Sequence, residues 1–467
     1  MITWLLSGCA VSLALSLIII YCPTVFERSR SAEKFYKTVA CIFLALSFVE
    51  MFLPDLWSWR FCDAEDMLKE LHDPAFSLVR LLSSSLIAVI PVSYLYPKKN
   101  LMRFSGFFGV LSFVFDFIYA ETYINNAINA QSFPFGDLFK SFFIDPVFRI
   151  SFFLILETLK LFLALSIFKR RREELAFSGI WDAVKFILIS IPLLIVNIQP
   201  QFFGQFFGTF TDIEISSLNF ADIIWLISIP IQVAVYTLIF RKRSEEDKNV
   251  LLSLLSLSLC FQFTAFFRSA GLVTIARLPF QLCNFGCYLI VAAVITKCRK
   301  FGVFAASINV IGALLAVIVC STPGECGLFY TYNMHYILEH NGIIVVSLLL
   351  LTLNVITPLK LSDAKTVFWG YNIYYFSVFI IGTAFNTVSR ITNNDYFSCN
   401  YLFMFDKDAA VEVLPFIGKL FDMKVTLWNF AEFSIVQLVV YFVFLAMCMA
   451  MFSLFLLIFR QRSKADI

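Results

Sequence analysis

"LNFADIIWLISIPIQVAVYTLIFRKRSEED", residues 218–247, decides how the chain is read. It holds about twenty mostly apolar residues, the length that crosses a lipid bilayer as a helix. The run then switches abruptly to Arg241, Lys242 and Arg243. A second stretch, "WNFAEFSIVQLVVYFVFLAMCMAMFSLFLLIFRQRSKAD" at 428–466, has the same design. Each opens on Asn-Phe-Ala-acid and closes on Phe-Arg-x-Arg-Ser before acidic residues. Two spans of one pattern, half a chain apart, raise the question of duplication.

The rest of the chain agrees with a membrane-embedded protein. It has 467 residues, 60% hydrophobic and 17% aromatic, with 57 Phe and only 15% charged. Its mean hydropathy is +0.83. A soluble domain so apolar would expose too much apolar surface to stay dispersed, so the fold class is an all-α polytopic membrane protein. The twelve Cys lie mostly in apolar runs, where they act as small hydrophobes rather than as a disulfide framework. Residues 6–9, "LSGC", resemble a lipoprotein box, but no basic segment precedes them and an apolar run follows. They are read as part of a first span.

About thirteen apolar stretches have spanning length: 3–21, 36–53, 76–97, 104–121, 147–168, 183–198, 220–241, 249–268, 278–297, 302–321, 335–357, 367–386 and 434–459. Every second loop is basic, among them "PKKNLMR" (97–103), "KRRREE" (169–174), "RKRSEEDK" (241–248) and "KCRK" (297–300). The positive-inside rule places these in the cytoplasm, with the N terminus extracytoplasmic and the C terminus cytoplasmic. The other loops carry all three histidines, His72, His335 and His340.

Further matched segments support a duplication. "VRLLSSSLIAVIPVSYLYPKKN" (79–100) stands where "ARLPFQLCNFGCYLIVAAVITKCRK" stands at 276–300, and 153–168 parallels 335–351. The expected organisation is one extra N-terminal helix and basic loop (1–35), then two tandem six-helix repeats (36–248 and 249–467). Six is even, so both repeats have the same orientation. Leu86 occupies the place of Cys283, and Thr158 that of His340, so the first repeat lacks this Cys/His pair.

Cys283 and His340 are the candidate chemistry. Each lies roughly 8 Å below the outer end of its span at 1.5 Å per residue. A thiolate is a nucleophile and an imidazole can take its proton. An ester carbonyl at that depth is a matching electrophile, and Gln281, Asn284 or Asn341 are candidate oxyanion donors. Arg277 adds charge at the helix entrance, and His335 and Glu339 are reserve groups for proton transfer. A rival reading uses Cys283, Cys287, His335 and Glu339 as a four-ligand metal site, since each pair is four residues apart on one helix face. Cys326 and Cys399 are either a disulfide in an oxidising compartment or two free thiols. Glu50, Asp116, Glu157, Lys160, Asp222 and Glu432 lie in or beside spans, where charge marks a transport path or a capped helix end. Glu157 and Lys160, three apart, are placed to neutralise each other. Segment 387–433 is either an interfacial helix or an ordinary loop.

"RLPFQLCNFG", "STPG" (321–324), "YNMHYILEHNGIIVV" (332–346) and "NDYFSCNYLFMFDKDAAVEVLPFIGK" (394–419) come in the order of a known pattern. Together they resemble the YwaF-like integral membrane family related to transmembrane protein 164, over roughly residues 250–460. The resemblance implies an acyltransferase moving a fatty acyl chain between glycerophospholipids, with Cys283 as nucleophile and His340 as base. Asn400 and Tyr401 match the later motif. Asn341 separates His340 from Gly342, where the family tends to have His-Gly directly. The expected partners are membrane phospholipids, not nucleic acid, and no cofactor is required. The alternatives are a transporter or binding protein for lipids or small molecules, and a phospholipid hydrolase with the same dyad.

Overall fold

The computed structural model describes residues 2–21, 30–53, 55, 73–129, 140–207, 219–269, 278–319, 328–405, 418–421, 423–427 and 431–460. His72, Arg277 and Cys326 lie outside these residues.

Helices cover the apolar stretches, but they are not equivalent as crossings. Eight of the described helices are long and apolar enough to cross a membrane, or nine if one bent pair is a single span. The protein is therefore a helical multi-pass membrane protein; of the thirteen expected spans, eight or nine qualify among the described residues. Leu282–Thr296 is a shorter apolar helix of 15 residues. Ala364–Thr392 runs past the expected end at 386. Segment 387–433 continues from it through short 3-10 turns at Asp395–Phe397 and Tyr401–Phe403. An antiparallel hairpin of Lys424–Leu427 with Ala431–Ser434 follows, a small departure from an all-helical fold.

The stretch at 183–198 is broken rather than straight. Ile180–Ile195 and Pro200–Phe207 meet at 103°. Pro200 has no N–H to donate and disfavours helical backbone in the residue before it. The carbonyls freed by the break are met by side chains: Ser258 Oγ donates to Val196 O, and Ser84 Oγ to Asn197 O at 3.1 Å. Asn197 Nδ2 returns a bond to Ser84 O at 2.7 Å.

Contacts divide the chain into two compact units. The first comprises 1–213, 253–272 and 325–335, and the second 214–252, 273–324 and 336–467. The Phe220–Phe240 helix thus groups with the second unit, not with the repeat that ends at 248. In the first unit, helices approach closely where side chains are small, as at Gly109 against Ala164. Lys160 bonds Glu157 at 2.6 Å, as their spacing suggests, and also Asp116. Arg103 grips Asp182 with two nitrogens, at 2.7 and 3.0 Å, and donates to the carbonyls of Leu175 and Ala176.

The second unit has a corresponding clamp. Arg299 holds Asp363 with two bonds, at 2.6 and 2.8 Å, and donates to Pro358 O at 2.8 Å. Burial acts to raise the Asp363 pKa, but the Arg299 guanidinium and the Lys360 N–H outweigh it and hold the carboxyl below its usual range. In the same unit, Gly286 lets the Leu282–Thr296 helix approach Asn309. A Cβ there would come within 2.4 Å of Asn309 Oδ1.

Two outcomes follow for unfolding in detergent. Gly286→Val should destabilise by about 1–3 kcal/mol through overpacking, and Asn309→Ala in the same chain should recover part of the loss. Absence of that recovery would show that the approach is not the cause. A carboxylate held below its ordinary value of about 3.9 stabilises fully above that pH, and the contribution is lost as pH falls through the lowered folded value. Asp363→Asn should therefore unfold at a lower temperature than the parent near neutral pH, and the gap should close in acid. A gap independent of pH would count against the clamp.

Candidate functional site

The Leu282–Thr296 helix starts directly after Gln281, whose side chain does not cap it. That amide is engaged elsewhere. Its Nε2 donates to Asn400 O at 2.8 Å and its Oε1 accepts from Leu402 N at 2.9 Å. Leu402 has φ 54°, a left-handed conformation unfavourable for a branched side chain, and the bond from its N–H helps hold it there. Asn400 Oδ1 accepts from Phe405 N at 2.9 Å. The buried Tyr401 ring stands edge-on to Phe280 at 5.1 Å, and Tyr374 OH donates to Phe280 O at 2.7 Å. Gln281 is thus a fastener between the helix entrance and the Asn400-Tyr401 motif. Nothing in the local sequence connects Gln281 with that motif, since the bonds span more than a hundred residues.

Cys283 is the second residue of this helix and is half-buried. Its Sγ donates to Asn284 Oδ1 at 3.3 Å. One turn further in, Cys287 is fully buried and its Sγ donates to Glu339 Oε1 at 3.6 Å. The carboxylate beside His340 therefore meets Cys287 rather than Cys283.

His340 lies in the Thr331–Thr352 helix and is buried. Its Nδ1 is 2.6 Å from Tyr336 O, and the two rings lie 4.3 Å apart. A carbonyl only accepts, so Nδ1 carries the proton of the neutral ring and Nε2 is the basic nitrogen. Tyr336 OH in turn donates to Ala316 O, which fixes this face of the helix. Asn341 Nδ2 reaches Trp225 O at 3.4 Å and Ser228 Oγ at 3.3 Å. Those bonds tie it to the Phe220–Phe240 helix instead of aiming it at Cys283.

The structure therefore joins Cys287 with Glu339, and Gln281 with Asn400 and Leu402. The Cys283 thiol is bonded to Asn284 and not to His340. His335 is counted in the first unit, buried with its ring 5.9 Å from Phe263. Among the described residues no three or more His, Cys, Asp or Glu side chains are grouped to hold a metal ion. The set Cys283, Cys287, His335 and Glu339 is thus not gathered as ligands: Glu339 bonds Cys287, and the His335 ring packs on Phe263. Cys399 is a free, buried thiol, pushed up to about 12 by burial despite hydrogen bonds from Tyr401 and Asn386. Asn386 also brackets its backbone, donating to Cys399 O at 2.8 Å and accepting from Cys399 N at 3.1 Å.

No curated protein and no solved structure matches the chain. The model of the TMEM164 family matches residues 215–454, just over half of the 467 residues. This match begins one residue after the second unit begins at 214. It includes the Phe220–Phe240 helix that receives Asn341, one helix more than the motifs alone had indicated. Cys283, His340, Asn400 and Tyr401 all fall inside it, and the chain belongs to the TMEM164 family.

Proposed function

We propose that the second unit transfers a fatty acyl chain between glycerophospholipids at the extracytoplasmic face of the membrane, with Cys283 as nucleophile and His340 as base. The N terminus is then outside and the C terminus inside. The observation that carries the reading is the hydrogen bond between His340 Nδ1 and Tyr336 O. It holds the ring in the tautomer whose Nε2 takes a proton. A half-buried thiol at the start of a neighbouring apolar helix in the same unit supplies the matching nucleophile.

The chemistry balances without a cofactor. The thiol turns from Asn284 to His340 and gives up its proton. Sulfur attacks the ester carbonyl, the S–C bond forms, and the lysophospholipid oxygen leaves with the proton from imidazolium. A hydroxyl of a second lysophospholipid then loses its proton to His340 and attacks the thioester, returning the thiol. Contacts between nucleophile and base often tighten only when substrate is present. Gln281 acts by holding the helix entrance and its thiol in place rather than by touching an oxyanion.

The test is purified protein in lipid nanodiscs with a phospholipid labelled in one acyl chain. A hydroxylamine-labile label on the protein and its passage to an added lysophospholipid are expected. Cys283→Ala should remove the adduct and lower transfer by at least about 10³-fold, and His340→Gln by about 10²–10⁴-fold. Release of free fatty acid alone would make the enzyme a hydrolase. Unchanged transfer in Cys283→Ala would overturn the dyad, and no adduct with no product would favour binding or transport. The buried Cys287 gives a separate outcome. Cys287→Ser should keep the labile adduct on Cys283, and loss of the adduct with the fold retained would move the nucleophile to Cys287.

A further inference from the structure

In the first unit, on residues outside the stretch matched by the family, a partly open cavity is lined by charged and polar side chains. Its lining includes Glu50, Arg80, Asp116, Glu157, Lys160 and Gln199. These come from four helices and from the break between Ile195 and Pro200. Three carboxylates face two cations there, and Asp55 adds a fourth acid 3.5 Å from Arg80. Glu50 accepts from Tyr123 OH, whose ring lies 4.9 Å from the Arg80 guanidinium.

Lys160 cannot neutralise the rest. An ammonium has three protons. Those of Lys160 go to Asp116 Oδ2, to Glu157 Oε1 at 2.6 Å and to Ser112 Oγ at 3.1 Å. Glu157 is 5% exposed, and its second oxygen, Oε2, has no partner among the described residues. Gln199, 4% exposed, donates through Nε2 to Met51 Sδ and leaves its Oε1 without a partner. A buried acceptor with no donor is destabilising, more so when charged. Two such acceptors on one cavity, with acids in excess, call for a donor that carries positive charge. A helix broken within an apolar region, its polar groups turned to a cavity, is a setting in which membrane proteins hold ions.

We propose that this cavity binds a small monovalent cation, an alkali metal ion or a primary ammonium, on Glu157 Oε2 and Gln199 Oε1. The cation completes the charge balance around Lys160 and holds the bend at 195–200 to the Pro146–Arg170 helix. The two sources share the chemistry of a compact positive charge accepted by carboxylate and amide oxygens. An ammonium source includes the ethanolamine headgroup of a lipid.

The whole chain, purified in detergent at constant ionic strength in N-methyl-D-glucamine chloride, is titrated with sodium, potassium, ammonium or ethanolamine chloride while thermal unfolding is followed. A saturable rise of a few degrees in the midpoint is expected. A response to sodium or potassium alone assigns a metal ion, and a response to ethanolamine alone assigns an amine. Glu157→Gln should abolish the response. A midpoint that no cation moves, or a full response in Glu157→Gln, overturns the proposal. Should that variant not fold, Gln199→Leu is measured by equilibrium binding of the responding cation. At least tenfold weaker binding supports the site, and unchanged binding overturns it.

Discussion

Lipid offers no hydrogen bonds, so every polar group within the hydrocarbon must be met from within the protein. This constraint accounts for most of the polar residues scattered through the apolar runs. Ser84 and Ser258 are not incidental small residues, because they receive the carbonyls exposed where the helix breaks before Pro200. Asn309 reaches Gly286 O and Ser347 Oγ, and Tyr374 reaches Phe280 O. The same constraint makes an exception informative. Where a buried acceptor meets no partner among the described residues, as at Glu157 Oε2, it marks a place for a ligand.

The constraint also explains what could be read without coordinates. Hydrocarbon thickness sets helix length, so the apolar stretches were legible as helices, and the i,i+3 spacing of Glu157 and Lys160 announced their bond. The bend at 195–200 was not legible, because Pro192 and Pro230 sit inside helices in this same chain without ending them. Whether a proline breaks a span depends on whether neighbouring helices can satisfy the freed carbonyls. That is a tertiary fact. The link from Gln281 to the later motif was not legible for a similar reason. Its partners are Asn400 and Leu402, more than a hundred residues on, and no local spacing connects them. The pairing of Glu339 with Cys287 rather than Cys283 depends on how two helices face each other, a rotation that apolar sequence does not encode.

The two arginine clamps bear on the proposed duplication more directly than sequence similarity does. Arg103 stands in the second turn of Lys99–Ile118, and Arg299 opens Arg299–Val319. Arg103 follows the segment 79–100, whereas Arg299 is the penultimate residue of its counterpart 276–300. Each grips, with two nitrogens, an Asp at the start of a later helix, Asp182 of Ile180–Ile195 or Asp363 before Ala364–Thr392. Phe- and Leu-rich spans resemble one another by composition alone, and the two clamps are alike in kind, although Arg103 is the fifth residue of its helix and Arg299 the first. On the proposed duplication the clamps would be counterparts displaced by one residue, and packing assigns the Phe220–Phe240 helix to the second unit.

On the proposed duplication, different contents separate the roles of the halves. Where the second unit has Cys283 and His340, the first has Leu86 and Thr158, and Leu86 is fully buried while Thr158 donates to Ser12 Oγ and Leu154 O. Those places in the first half are closed by packing and by hydrogen bonds, so it offers no second copy of the thiol chemistry. Its distinctive residues are instead Asp116, Glu157 and Lys160, gathered on one cavity. A buried cluster of this kind is unfavourable for stability on its own, since desolvation opposes every charge in it. Three carboxylates there face Arg80 and Lys160, and the proposed cation site gives the cluster a use beyond fastening.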